Sequence, residues 1–256
     1  MASTPPQAPG RPFARARHRS SPQAPGRPFA RARHRSFALV AAALAAGCGV
    51  TGQNVCLDFP ASVGFSPLER DFTDVSFPPG SPGAYPQVLN VVSGPSIAHS
   101  WAHARGYVNC SLPKVLQALH DPAASRIISP GNHWTASPPG VEPGYDVSFD
   151  VTYVVYETIT VRWTLRTRGG LLTPGLVTDP GARVGLRYQK TCGDDHIALQ
   201  SGSLVATQAP GDPNATQLEL VGWLNATTQG PDDVGGTLRD WFTNLTGVLA
   251  AGGTCP

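Results

Sequence analysis

"TQLELVGWLNATTQGPDDVGGTLRDWFTNL", Thr216 to Leu245, changes its hydrophobic period halfway along. Leu218, Leu220 and Leu224 are spaced by even numbers, the mark of a strand with one buried face, and Trp223 is out of phase and expected to face away. After the Gly-Pro break, Val234, Leu238, Trp241, Leu245 and then Val248 fall at intervals of four, three, four and three, the stripe of an amphipathic helix. Asp232 and Asp233 stand in its first turn, where the helix dipole favours negative charge. Gly235 and Gly236 weaken the same turns by roughly 1 kcal/mol each relative to Ala.

Working upstream, the period is two. Tyr145, Val147, Phe149, Val151, Tyr153 and Val155 alternate with Asp146, Ser148, Asp150 and Thr152; Ile159, Val161, Trp163 and Leu165 alternate with Thr160, Arg162, Thr164 and Arg166. Both segments predict strands with one wet and one dry face. Further strands are expected at Val184 to Thr191, His196 to Thr207 and Gln217 to Ala226, the first two joined by the turn signal "GDD" at Gly193 to Asp195. Before them "HARGYVNC", His103 to Cys110, reads as a short strand. "SLPKVLQALHDP" then reads as a short helix with Ser111 as N-cap, Pro113 in its first turn and Pro122 as its stop. The order is strand, short helix, about six antiparallel strands, long helix, an α+β fold.

That order, with "GYVNCSLPKVLQALHDP" at its start and the opening stretch at its end, resembles the START-like, or SRPBCC, helix-grip superfamily over about Ala102 to Ala250. The resemblance implies a curved antiparallel sheet of about seven strands wrapped on the long C-terminal helix. Between them it implies a cavity that in many members holds a hydrophobic ligand. Phe149, Tyr153, Trp163, Leu220, Leu238, Trp241 and Leu245 are the candidates to line it. Some members are cyclases or hydroxylases, but no matching catalytic motif stands in this sequence.

The amino-terminal part is different in kind. "PQAPGRPFARARHRS" at Pro6 to Ser20 recurs unchanged as Pro22 to Ser36, and the second copy places Arg31, Arg33 and Arg35 before the apolar run "FALVAAALAAGC", Phe37 to Cys48. A basic stretch followed by a short apolar one is the pattern of a secretory signal. "AAGC", Ala45 to Cys48, resembles the lipobox of bacterial lipoproteins, although Leu is the usual residue where Ala45 stands. The resemblance implies an acylated Cys48, carrying palmitate-type chains enough for stable anchoring. Residues 1–47 are thus expected to be leader and signal, 48–98 a lipidated Cys and Pro/Gly-rich tether that wraps irregularly, and 99–256 the folded domain. Gly49 is not the Asp that retains lipoproteins at the inner membrane of enteric bacteria, so the expected location is the cell envelope, anchored in the outer membrane and facing the periplasm.

Charge and cysteine usage bear on the rest. From Cys48 onward nine Arg and two Lys stand against all 17 acidic residues, a net −6, which offers no basic stripe for nucleic acid. With Cys48 taken by lipid, Cys56, Cys110, Cys192 and Cys255 remain for two disulfides in an oxidising compartment, with three connectivities open and a bond at the terminal Cys255 expected. No CxxC spacing suggests zinc or redox chemistry. His99 and His103 are read as surface or packed residues, not a metal site. Asp194 and Asp195 beside His196 are read as a solvated turn. The sequons at Asn109, Asn214, Asn225 and Asn244 are read as chance matches. No cofactor is expected. The reading is a membrane-tethered carrier or sensor of an apolar molecule, with two alternatives: an envelope protein with a filled core and no ligand, and a cyclase-type enzyme.

Overall fold

The structure is a computed structural model and describes residues 54, 56, 57, 59, 74–127, 133–156, 160–227, 230–253 and 255. Cys48, Gly49 and Ile159 lie outside the described residues, as does the whole of 1–47. The elements are β1 (Leu89–Pro95), β2 (Ser100–Val108), α1 (Leu112–Leu119), β3 (His133–Ala136), β4 (Gly140–Glu142), β5 (Tyr145–Tyr156), β6 (Thr160–Leu171), β7 (Arg183–Gly193), β8 (Ile197–Ala209), β9 (Asp212–Ala226) and α2 (Pro231–Ala251). All described pairings are antiparallel in the order β1-β2-β9-β8-β7-β6-β5-β3, with β4 also on β5, so the sheet has nine strands where about seven were expected. The arrangement is the α+β helix grip: one curved antiparallel sheet with the C-terminal helix across it.

The strands for which the sequence named no segment are β1, β3 and β4. β1 lies inside 48–98, so that segment is not tether throughout; its last residues form the edge strand beside β2. Earlier residues of the same stretch lie on the outer face of the sheet. Arg105 donates to the Val75 carbonyl at 3.0 Å, the Tyr85 hydroxyl to the Pro210 carbonyl at 2.7 Å, and the Gly83 amide to Asp212 at 2.9 Å. Tyr85 stacks on Tyr107 with centroids 4.4 Å apart, and Phe77 lies 5.3 Å from the same ring, a small second core with Ala209 and Ala215. The outer face is therefore not uniformly wet. Ser148 and Arg168 are buried there, with Phe59 over the Arg168 guanidinium at 4.5 Å and Glu142 of β4 bonded to both.

The inner face can be read row by row from the register. Phe149, Thr167, Tyr188, Gly202, Gly222 and Ala102 lie side by side across β5, β6, β7, β8, β9 and β2; the next row is Val147, Gly169, Leu186, Leu204, Leu220 and Ala104. Small residues in the first of these rows leave a lane. A Cβ on Gly202 would stand 2.3 Å from the Tyr188 ring, and one on Gly222 would stand 3.2 Å from Leu238, so Tyr188 lies flat across β8 and α2 comes down on β9. α2 packs closely on β1, β2, β9 and α1. It begins with Asp233 accepting from the Gly230 amide at 2.7 Å, and Val234, Leu238, Trp241 and Leu245 are buried as the stripe requires, while Val248 at its end is only half-buried and Leu249 is buried instead.

Two disulfides settle the connectivity left open by the sequence: Cys56–Cys192 and Cys110–Cys255, spanning 136 and 145 residues. In β7 a bulge shifts the pairing from Leu165–Lys190 to Thr164–Cys192. It turns Cys192 to the outer face, where the segment around Cys56 lies with the Leu57 amide donating to Thr191 at 2.6 Å. Cys110–Cys255 joins the start of α1 to the end of α2, as expected for the terminal cysteine.

Candidate functional site

All seven residues expected to line a cavity fall in a single buried cluster between sheet and helix, none more than 5 % exposed: Phe149 and Tyr153 on β5, Trp163 on β6, Leu220 on β9, and Leu238, Trp241 and Leu245 on α2. The sequence reading placed them together because each lies in phase with its element's apolar face. Three inner-face residues escaped it: Tyr188, Lys190 and Gln200. The alternation Val184, Leu186, Tyr188, Lys190 carries the first two inward, and only the charge of Lys190 disguises its place.

The two halves of this face are covered differently. Over β1, β2 and β9 stands α2. Among the described residues no helix packs closely on β5. There Phe149 and Tyr153 are covered by neighbouring side chains and by the stretch after α1, where Ile127 is 2 % exposed and its amide donates to the Tyr153 hydroxyl at 3.4 Å. That stretch is tied to α2 through Asn244, which donates to the Arg126 carbonyl at 2.8 Å and accepts from its guanidinium at 2.6 Å. Tyr153 lies 5.2 Å from Trp163, and Tyr188 meets Trp241 edge-on at 5.3 Å. Burial pushes the phenol pKa of Tyr153 and of Tyr188 upward, so both stay neutral hydrogen-bonding groups.

Lys190 is 1 % exposed, and its ammonium donates to the carbonyls of Asp194 and Ile197 in the β7–β8 hairpin. Burial lowers its pKa, against the opposing pull of Asp194 and Asp195. The side chain holds the hairpin closed from inside. The Asp194 carboxylate accepts from the Arg162 amide at 2.7 Å, and the His196 ring faces Thr227 at 3.5 Å, so this acidic turn makes structural contacts. His99 lies against Trp223 at 5.5 Å, and Trp223 is on the outer face as its phase required. His103 is fully buried on the outer face, 2.9 Å from Glu219 and 3.7 Å from Asp74. Among the described residues no group of three His, Cys, Asp or Glu is placed to hold a metal ion.

Away from the inner face, two grooves flank the β8–β9 turn, one of about 320 Å³ by Pro180 and Pro210 and one of about 260 Å³ holding Tyr85 and Asp212. Of the sequon residues, Asn109 and Asn214 line the second groove, Asn225 is exposed, and Asn244 is buried and bonded to Arg126.

No family model and no curated protein matches the chain. Solved structures with a similar chain path include an aromatase/cyclase from Streptomyces sp. R1128, 18% identical over 64% of this chain and 93% of that one, with a TM-score of 0.39. A START superfamily protein from Mycobacterium smegmatis is 14% identical over 60% of this chain and 98% of that one, with a TM-score of 0.41. A norcoclaurine synthase from Thalictrum flavum is 12% identical over 65% and 97%, with a TM-score of 0.37.

Proposed function

We propose that this protein binds an apolar small molecule or lipid between the sheet and the two helices, on the inner face of β5, β6 and β7. The observation that carries the reading is the uneven cover of that face. Four aromatic side chains, Phe149, Tyr153, Trp163 and Tyr188, lie on the strands where α2 does not pack closely, and the stretch Asp121–Ile127 closes over part of them. That stretch is held by buried Ala124 and Ile127 and a few hydrogen bonds, against seven buried residues on α2, so it is the part of the cover that opens at lower cost. Since the side chains touch one another, entry requires that stretch to lift and the rings to part. Aromatic faces of this area supply most of the affinity for such a ligand.

The test is extraction of the purified full chain with organic solvent and mass spectrometry of the extract. A single apolar molecule in about one-to-one ratio supports the carrier reading. An empty extract from protein that also fails to retain added apolar probes rejects it in favour of a filled core.

We propose further that Cys48 is acylated and holds the domain at the cell envelope, most simply at the outer membrane on the periplasmic side. The lipobox-like "AAGC" supports this, and so do two disulfides, which need an oxidising compartment. Cys48→Ser should abolish palmitate labelling and release the protein from the membrane fraction. Unchanged labelling and fractionation would contradict the anchor.

A further inference from the structure

We propose that this protein meets the membrane with one end of its sheet, the end that carries the β1–β2 and β7–β8 turns, and that Leu57, Ile97 and Tyr156 are the side chains that enter the lipid surface. The inference rests on the acylation of Cys48 proposed above and adds which part of the fold the anchor brings to the bilayer.

The path of the N-terminal segment carries it. Asn54 is bridged antiparallel to Asp194 at the tip of the β7–β8 hairpin, and Cys56 is bonded to Cys192. The Leu57 amide donates to the Thr191 carbonyl at 2.6 Å, and Phe59 lies over Arg168 farther along the outer face. These four contacts follow one another from the hairpin tip inward, so the chain before Asn54 leaves the fold at the tip. Cys48 stands six residues before Asn54. Six extended residues span about 20 Å. β7, with 11 residues, is about 36 Å long. A lipid on Cys48 therefore keeps the hairpin tip close to the headgroups, and the tether is shorter than the distance to the far end of the strands.

The register shows what shares that end. Tyr156, the last residue of β5, is opposite Thr160, and Trp163 is opposite Gly193 at the hairpin. Ile197 is opposite Ala226, the last residue of β9, and β2 begins with Ser100 opposite Leu224. Tyr156, the β7–β8 turn and the β1–β2 turn with Ile97 thus lie at one end. Leu57, Ile97 and Tyr156 are all exposed, Ile97 completely. Val141 and Leu176, also exposed, stand at the opposite end, beside the start of β5 and between β6 and β7. Exposure alone does not choose between the ends; the anchor does. Leu and Ile side chains suit the apolar layer, and a Tyr suits its boundary, with the ring in the acyl region and the hydroxyl among headgroups.

Charge narrows the kind of lipid. Among the described residues, the exposed charged side chains at this end are Asp195, Asp232 and Asp233 against Arg162. That excess of acid is repelled by an anionic surface and tolerated by a zwitterionic one.

The test uses the acylated full chain purified from membranes and reconstituted in phosphatidylcholine vesicles. A spin label is carried on a genetically introduced keto side chain in place of Ile97, Tyr156, Val141 or Leu176, which leaves both disulfides intact. Collisions with a water-soluble nickel chelate and with oxygen are read by electron paramagnetic resonance. Labels at 97 and 156 are expected to lose nickel access and gain oxygen access relative to the same labels on soluble Cys48→Ser chain, while those at 141 and 176 do not change. Adding phosphatidylglycerol to the vesicles should weaken that shielding. Shielding of 141 and 176 instead, no shielding anywhere on a chain that stays on the vesicles, or shielding that grows with phosphatidylglycerol overturns this inference and leaves the anchor standing. A chain that carries no acyl group on Cys48 and does not bind the vesicles overturns both.

Discussion

At the scale of single residues, the fold depends on a few positions where size or charge has little latitude. Gly202 is one. A methyl group there meets the Tyr188 phenol at 2.3 Å, and that ring is held in turn by Trp241, so the overlap cannot be relieved by a small shift. Gly202→Ala is expected to cost about 1 to 3 kcal/mol in a denaturant titration, the usual penalty of overpacking, and Tyr188→Phe alone should not rescue it, because the ring itself is struck. Glu142 is another. The hydrogen bond from Ser148, with further help from Arg168 and Arg166, holds its carboxyl below the ordinary glutamate range against the opposing effect of burial. Because the folded state has the lower pKa, the stabilisation is complete above about pH 4.3 and is lost as pH falls through the depressed value. Glu142→Gln should flatten that part of a stability-against-pH curve, and an unchanged acid limb would show that the β4–β5 cluster contributes nothing. Residue by residue, the sequence revealed the apolar inner face and concealed Lys190 and Gln200. A charged or amide side chain on a buried face breaks the alternation that identifies the face.

At the scale of elements, legibility followed length and period. β5 and β6 run for 12 residues each and α2 for 21, long enough for alternation or a helical stripe to stand out from local composition. β3 and β4 have four and three residues, too few to show a period. β1 is marked by Val91 and Val92, but it follows a Pro- and Gly-rich run and its own pattern ends in Gly94-Pro95, signals that read as loop. Its stability as an edge strand comes from β2 on one side and α2 above, which are tertiary facts. α2 shows the converse. Its two early glycines look like equal weaknesses in the sequence, yet Gly235 faces β1 with Ser93 and Val91 3.5 Å from where a Cβ would stand, while Gly236 faces open space. Gly236→Ala should therefore raise stability by up to about 1 kcal/mol, measured by thermal or denaturant unfolding. Gly235→Ala should gain at least as much, because its methyl would meet Ser93 and Val91 at 3.5 Å, an ordinary van der Waals distance that adds contact with β1. A loss of stability in Gly235→Ala would mean that α2 sits closer to β1 than this.

At the scale of the whole molecule, the covalent frame and the site belong to one design. Cys56–Cys192 pins the N-terminal segment to the outer face and Cys110–Cys255 ties the ends of the two helices together. Cross-links spanning 136 and 145 residues remove much of the freedom of the unfolded chain. Replacing both cysteines of either pair by Ser is expected to cost about 2 to 4 kcal/mol, and loss of Cys110–Cys255 should in addition loosen the helices that roof the inner face. The sequence showed that four cysteines were available and not which would meet, since spacing along the chain says nothing of a bulge that turns Cys192 outward. If an apolar molecule lies between sheet and helices, native mass spectrometry of the intact, disulfide-bonded chain will register it. The predicted spectrum contains a one-to-one adduct, brought with the protein or formed on adding fluorenone, that disappears on unfolding; a spectrum holding only the bare chain under both conditions would contradict it.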